Sequence, residues 1–158
     1  MFRDMRRKKQ CLSEREAVEI LERNTAGTLS LLGDDGYPYG VPLSYVYADG
    51  KIYFHSASAG HKIDAITNYE KASFCVVDQD YIVPKEYTTY YKSVIAFGTV
   101  RLVEDESRMR EILTSLAMKY CADYAQGISA EIEKFINNMA VLELSITHIT
   151  GKASIELI

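Results

Sequence analysis

The run from Lys51 to Ile66, KIYFHSASAGHKIDAI, gathers two imidazoles, two serines and an ammonium group around one strand-to-helix turn. The first turn of a helix has unpaired N–H groups and a partial positive charge, which suit an anion. Gly60 lets a ligand approach the backbone closely, Ser56 and Ser58 carry hydroxyls, and Lys62 adds a full charge, so the turn reads as a phosphate cradle. The same residues equally fit a plain helix capped by Ser58 with a surface lysine, and the segment alone does not choose between the two. Strand alternation places Tyr53 and His55 on one face and Ile52 and Phe54 on the other. His55 thus ends its strand beside the prospective anion site, where an imidazole is a candidate proton donor. The preceding strand, GVPLSYVY, contains Pro42, which lacks the N–H a central strand needs and so marks an edge or a bulge with backbone groups free for a polar ligand.

Other chemistries find no support. HExxH, CxxC, GxSxG and Walker A patterns are missing, and His55, His61 and His148 have no acidic partner at a metal-ligand spacing, so no metal site is expected. There is no GxGxxG at a strand-to-helix junction.

The elements that must position these residues are legible in part. Ser13 followed by Glu16 forms a capping box, and Ala17, Ile20 and Leu21 recur at helical spacing, predicting a helix over 13–24. Strands follow near 26–32, 39–48 and 51–56, separated by the turn signals GDDG and ADGK. A short helix over 59–69 presents Ile63 and Ile66. Strands at ASFCVVDQD and SVIAFGTVRLVE flank an irregular Tyr-rich loop, with Cys75 expected in the core. A helix over 104–120, another over 128–138 and a last strand, AVLELSITHIT, complete the chain. Sequential hairpins with peripheral helices predict a mainly β, α+β fold: a six-stranded antiparallel barrel or strongly curled sheet in one domain spanning 1–158.

Composition narrows the setting. The net charge of -4 and pI of about 5.4 offer no global footprint for nucleic acid. The first ten residues, MFRDMRRKKQ, carry five basic groups and are expected to form a solvated arm. No secretory signal follows that arm, no apolar run is long enough to span a bilayer, and three widely spaced cysteines suit reduced thiols, so a cytoplasmic location without membrane contact is expected.

Five ordered blocks, MFRDMRRKKQ, GDDGYPYGVPLSYVY, KIYFHSASAGHKIDAI, KSVIAFGTVRLVEDE and HITGKASIEL, resemble those of the Nim-type, 5-nitroimidazole-resistance branch of the pyridoxamine 5'-phosphate oxidase-like flavoproteins. The resemblance covers the chain from Met1 to its end. It implies an FMN-binding split β-barrel that forms a homodimer with FMN at the subunit interface. It further implies that Pro42, Leu43 and Ser44 meet the flavin ring and that His55, Ser56, His61 and Lys62 hold the ribityl chain and phosphate. Ser93 stands where the related oxidases carry a glutamine near the ring, a shorter side chain that weakens direct contact, and Lys152 would approach from the partner subunit. With no tryptophan in the chain, vitamin B6 oxidation is not expected. The expected activity is oxidoreduction, passing electrons from a reduced nicotinamide, NAD(P)H, to a small acceptor such as a nitroaromatic compound. The alternative is a flavin- or haem-binding module without physiological turnover.

Overall fold

Ser13 begins the first helix as the sequence requires. In the computed structural model, which describes residues 1–158, its side chain accepts from the Glu16 amide while the Glu16 carboxylate accepts from the Ser13 amide at 2.7 Å. The helix α1 (Glu14–Arg23) then buries Ala17, Ile20 and Leu21. Around it are β1 (Cys11–Leu12), β2 (Ala26–Leu32), β3 (Pro38–Ser44), β4 (Val46–Ala48) and β5 (Lys51–Ala57). The remaining elements are α2 (His61–Asn68), β6 (Lys71–Val83), β7 (Thr88–Leu102), α3 (Glu106–Cys121), α4 (Ile128–Phe135) and β8 (Met139–Ala153).

All strand pairs are antiparallel, in the order β3-β2-β6-β7-β8-β5-β4, with β1 added beside β8. The two ends of this path, β3 and β4, are one stretch of chain interrupted at Tyr45, so the sheet must roll until its edges meet there. The strand expected over 39–48 is therefore two strands, and the barrel is split at that break. Tyr45 explains the interruption. Its amide donates to the Tyr120 hydroxyl at 2.9 Å, and the hydroxyl in turn lies 2.7 Å from the Tyr45 carbonyl oxygen, to which it donates. The α3 tyrosine thus satisfies backbone groups that would otherwise need a neighbouring strand.

The interior of the roll holds Leu29, Tyr45, Ile52, Phe54, Phe74, Val76, Val94, Leu142 and Leu144, all essentially inaccessible. Phe74 packs edge-on against Phe54 and Tyr45 at 5.0 and 4.9 Å, each pair worth about 1 kcal/mol beyond its area burial. A second cluster, Tyr53, Val141, Ile112, Leu113, Leu116 and Ile136, sits outside the roll where α3 and the segment after α4 cover β5 and the start of β8. Tyr53, placed by alternation on the polar face with His55, is consequently buried, and its hydroxyl accepts from Arg108 at 2.9 Å.

Three further expectations change. The Tyr-rich segment is not an irregular loop: β6 and β7 pair as far as Val83–Thr88, turning over Pro84–Glu86 with Tyr87 at φ 52°. Cys75 is half-buried, because Phe74 and Val76 take the inward positions and leave it on the outer face with Val77. The N-terminal arm is not simply solvated: the Phe2 ring stacks on His148 at 4.4 Å and lies 5.3 Å from Phe97, both on the outer sheet face.

Candidate functional site

The turn between β5 and α2 is built by glycine. Gly60 is the N-cap residue at φ 120°, a conformation that side chains rarely adopt, and no atom lies within 4 Å of where its Cβ would stand. The helix therefore starts at His61, not near Ala59, and Ser58 does not cap it; the Ser58 amide instead donates to the Asn138 carbonyl at 3.3 Å. The Gly60 carbonyl accepts from Ile63 and Asp64, while the amides of His61 and Lys62 have no acceptor within the chain. Two orphan donors thus point out of an uncapped helix start, open to an approaching group.

Lys62 stands on this turn without an ion-pair partner. Partial burial lowers its pKa, the signature of an ammonium group held where no anion yet compensates it. His55 is its neighbour. Although the residue is exposed overall, partial burial lowers its pKa, and the Lys62 charge lowers it further, which favours the neutral imidazole. His61 turns the other way. Its ring stacks on Tyr39 at 4.1 Å, and its Nε2 lies 3.6 Å from the Asp34 carboxylate on the β2–β3 turn. His61 thus offers the anion its main-chain N–H, with its side chain engaged elsewhere. Ser56 donates its hydroxyl to the Ala57 carbonyl at 2.7 Å.

The edge strand β3 supplies the second wall. Pro42 pairs opposite Thr28 on one side only, so its missing N–H costs no ladder bond. Pro42 and Ser44 are exposed, whereas Leu43 packs against the core and has only its backbone to offer. Ser44 and His55 line one cavity of about 480 Å³ that is otherwise walled by Leu113, Leu116, Ile128, Ile132, Met139 and the residues around Tyr120 and Tyr124. The only ionised group on its lining is Glu131. His55 and Ser56 also border a smaller hollow of about 310 Å³ with Phe135, Asn138 and Met139. A larger hollow of about 870 Å³ lies elsewhere, between the Ile66–Lys71 and Val100–Glu104 segments, and holds none of the expected residues.

Sequence reasoning missed the α3–α4 wall. Leu113 and Leu116 were legible as an inward helix face, but nothing in the local pattern said that this face would border His55. Ser93 and Lys152 are directly paired across β7 and β8, on the outer face of the sheet. Although β5 and β8 are neighbours, Lys152 lies eleven positions along β8 from Val141, the partner of His55, roughly 35 Å of extended strand, so one chain does not bring Ser93 and Lys152 together with His55.

The residues at the turn fit a flavin mononucleotide. Uncompensated Lys62, two free amides and a Gly60 cradle match a phosphate, and the exposed β3 edge offers backbone groups beside an apolar cavity for a planar ring. No three His, Cys, Asp or Glu side chains converge as metal ligands, and no helix is long and apolar enough to cross a membrane.

Comparison with known proteins agrees with this architecture. No curated protein matches the sequence significantly. Among solved structures, a conserved hypothetical protein from Mycobacterium tuberculosis superposes with a TM-score of 0.82 at 19% identity, over 95% of this chain and 90% of its own. A proposed 5-nitroimidazole antibiotic resistance protein from Bacteroides thetaiotaomicron gives 0.76 at 20% identity, over 90% and 86%. A flavocytochrome from Azotobacter vinelandii gives 0.78 at 20% identity, over 96% of this chain and 72% of its own. At these identities the likeness establishes the fold. Residues 13–153 match the sequence pattern of pyridoxamine 5'-phosphate oxidase, and with the split roll and its strand order this chain belongs to that family.

Proposed function

We propose that the protein binds FMN at the β5–α2 turn and passes electrons from a reduced nicotinamide to a small, flat acceptor of the nitroaromatic class. The observation that carries this reading is the uncompensated Lys62 beside two unclaimed helix amides, next to His55, which shares a cavity with Ser44 of the exposed β3 edge. Flavin binding by structural relatives named for FAD supports the cofactor class. Bound flavin would supply the two-electron carrier. Lys62 and the amides of His61 and Lys62 hold its phosphate, Ser44 and the Leu43 backbone contact the ring, and the cavity under α3 and α4 excludes water from the acceptor. His55, neutral and at the cavity wall, is placed to hold or pass a proton at its ring nitrogen.

The reading includes a homodimer. Ser93 and Lys152 lie away from the turn in one chain, and a second copy is the means by which they reach a flavin. The outer sheet face that would meet that copy exposes Val77 (60%) and Ile95 (37%) beside Ser93 and Lys152. A cytoplasmic setting accompanies the free thiols.

Anaerobic stopped-flow tests the activity. FMN-loaded protein reduced by NADH or NADPH should reoxidise rapidly when a nitroimidazole is added; a reduced flavin that persists in the presence of the nitro compound contradicts the acceptor class. A second reading, a haem-binding module without turnover, draws on the neutral His55 at the wall of an apolar cavity and on a relative named for FAD and haem. A Soret band in the purified protein distinguishes it.

A further inference from the structure

The N-terminal arm and the end of β8 enclose a second site. Met5, Arg6, Arg7 and Lys152 line a hollow of about 330 Å³. No carboxylate belongs to that lining, and none of the three cations takes part in an ion pair. Arg6 and Arg7 are exposed and Lys152 half-buried, so the three cations are open to an approaching anion.

The arm is also held in place on both sides of the two arginines. Before them, Phe2 stacks on His148, and Met5 Sδ lies 3.2 Å from Cys11 Sγ. After them, the Gln10 amide donates to the Arg7 carbonyl at 2.9 Å, Gln10 is buried, and Cys11 pairs directly with Lys152. Lys152 is itself fixed between Cys11 and Ser93, with Nζ 5.2 Å above the Tyr91 ring. A freely solvated basic arm would need none of these contacts. Two buried polar atoms without partners, Gln10 Oε1 and Ser154 Oγ, lie on residues flanking the Cys11–Lys152 pair, with Gln10 and Ser154 only 6% and 3% exposed. Neither atom lines the hollow; both belong to the buried backing that holds Cys11 and Lys152 in place behind it.

We propose that Arg6, Arg7 and Lys152 form a binding site for a phosphate or diphosphate group, separate from the β5–α2 turn in the same chain. Two guanidinium forks and an ammonium group match the several oxygens and multiple charge of such a group better than a single carboxylate. The group has two sources: the pyrophosphate of a dinucleotide electron donor, or the phosphate end of a flavin held by a second copy. The site itself requires neither flavin nor turnover, so its test is independent of the proposed activity.

Calorimetric titration of the purified protein with inorganic pyrophosphate at low ionic strength reads the site directly. The Arg6→Ala/Arg7→Ala variant should bind at least about a hundredfold more weakly, since it removes two charge-assisted guanidinium forks. Arg6→Lys/Arg7→Lys should recover part of the loss, because charge returns without the fork. Lys8→Ala/Lys9→Ala, on the same arm but outside the lining, should leave binding within about twofold. Absence of pyrophosphate binding by the unaltered protein, or an equal loss in the Lys8/Lys9 variant, overturns the site. With the site established, a raised KM for NADH or NADPH at unchanged FMN occupancy in Arg6→Ala/Arg7→Ala assigns it to the donor. Lost FMN retention with unchanged riboflavin retention assigns it to the flavin phosphate.

Discussion

Two helices start on this molecule in opposite ways. At α1, Ser13 and Glu16 satisfy each other's backbone donors, and the far end is closed by Arg23 and Asn24. These two bond Asp78 at 2.6–2.8 Å. Burial would raise the Asp78 carboxyl, yet the hydrogen bonds from Arg23 and Asn24 hold it below the usual carboxylate value. At α2, glycine replaces the cap, two amides stay unclaimed, and Lys62 has no counter-ion. The first helix is complete within the chain; the second leaves two amides and a charge open, which the proposed phosphate would fill. Water can satisfy such first-turn donors at an exposed start, so the contrast sets a terminus closed by its own side chains beside one left open, where the proposed phosphate would bind.

The largest expected effect falls on the incomplete end. His61→Ala/Lys62→Ala should raise the dissociation constant for FMN by about a hundredfold, through loss of the charge and of the Tyr39 stack that orders the turn. Lys62→Ala alone, measured without flavin, should melt no lower than the unaltered protein, because the substitution removes an uncompensated and partly buried charge. A lower melting temperature for flavin-free Lys62→Ala would make the lysine structural and erase the contrast.

Tyr120→Phe comes next. It removes the hydroxyl that bonds both the amide and the carbonyl of Tyr45, leaving backbone groups unmet at the split, and should cost about 1–3 kcal/mol in denaturant unfolding. A smaller, paired effect sharpens the comparison of termini. Ser13→Ala should cost about 1 kcal/mol of stability and leave FMN affinity alone. Gly60→Ala should cost a similar amount through its φ of 120° and weaken FMN as well.

The smallest effect is on pH dependence. His55 has a lowered pKa in the folded chain, from burial first and Lys62 second. Between that lowered value and the ordinary one of about 6.5, the unfolded chain binds more protons, so stability rises with pH through this window and is lost on acidification. His55→Gln should flatten this slope in denaturant midpoints of the flavin-free protein.

Much of this contrast was legible in the sequence because it depends on short-range chemistry. The Ser13–Glu16 box and the ADGK hairpin each lie within a few positions, and the pairings they predict are present; the β5–α2 turn was located too, but Gly60 and not Ser58 stands at its N-cap. Pro42 announced an edge or a bulge, and it lies on an edge strand. What stayed hidden depends on distant partners. The strand break at Tyr45 is set by a hydroxyl 75 residues away, which no local periodicity records. Tyr53 sits on a strand whose alternation was read correctly, but alternation names a face and not what covers it, and α3 buried it; Cys75 was placed inside on its apolar run alone, whereas Phe74 and Val76 take the inward positions and turn it outward. The arm looked solvated because five basic groups in ten residues hide the one ring, Phe2, that anchors it.

The central claim is that the α2 terminus is completed by a flavin phosphate. A visible absorption spectrum of the freshly purified protein, followed by heat release and identification of the ligand, tests it most directly. The account predicts a yellow protein carrying close to one FMN per chain. A colourless protein that also takes up no added FMN would contradict it.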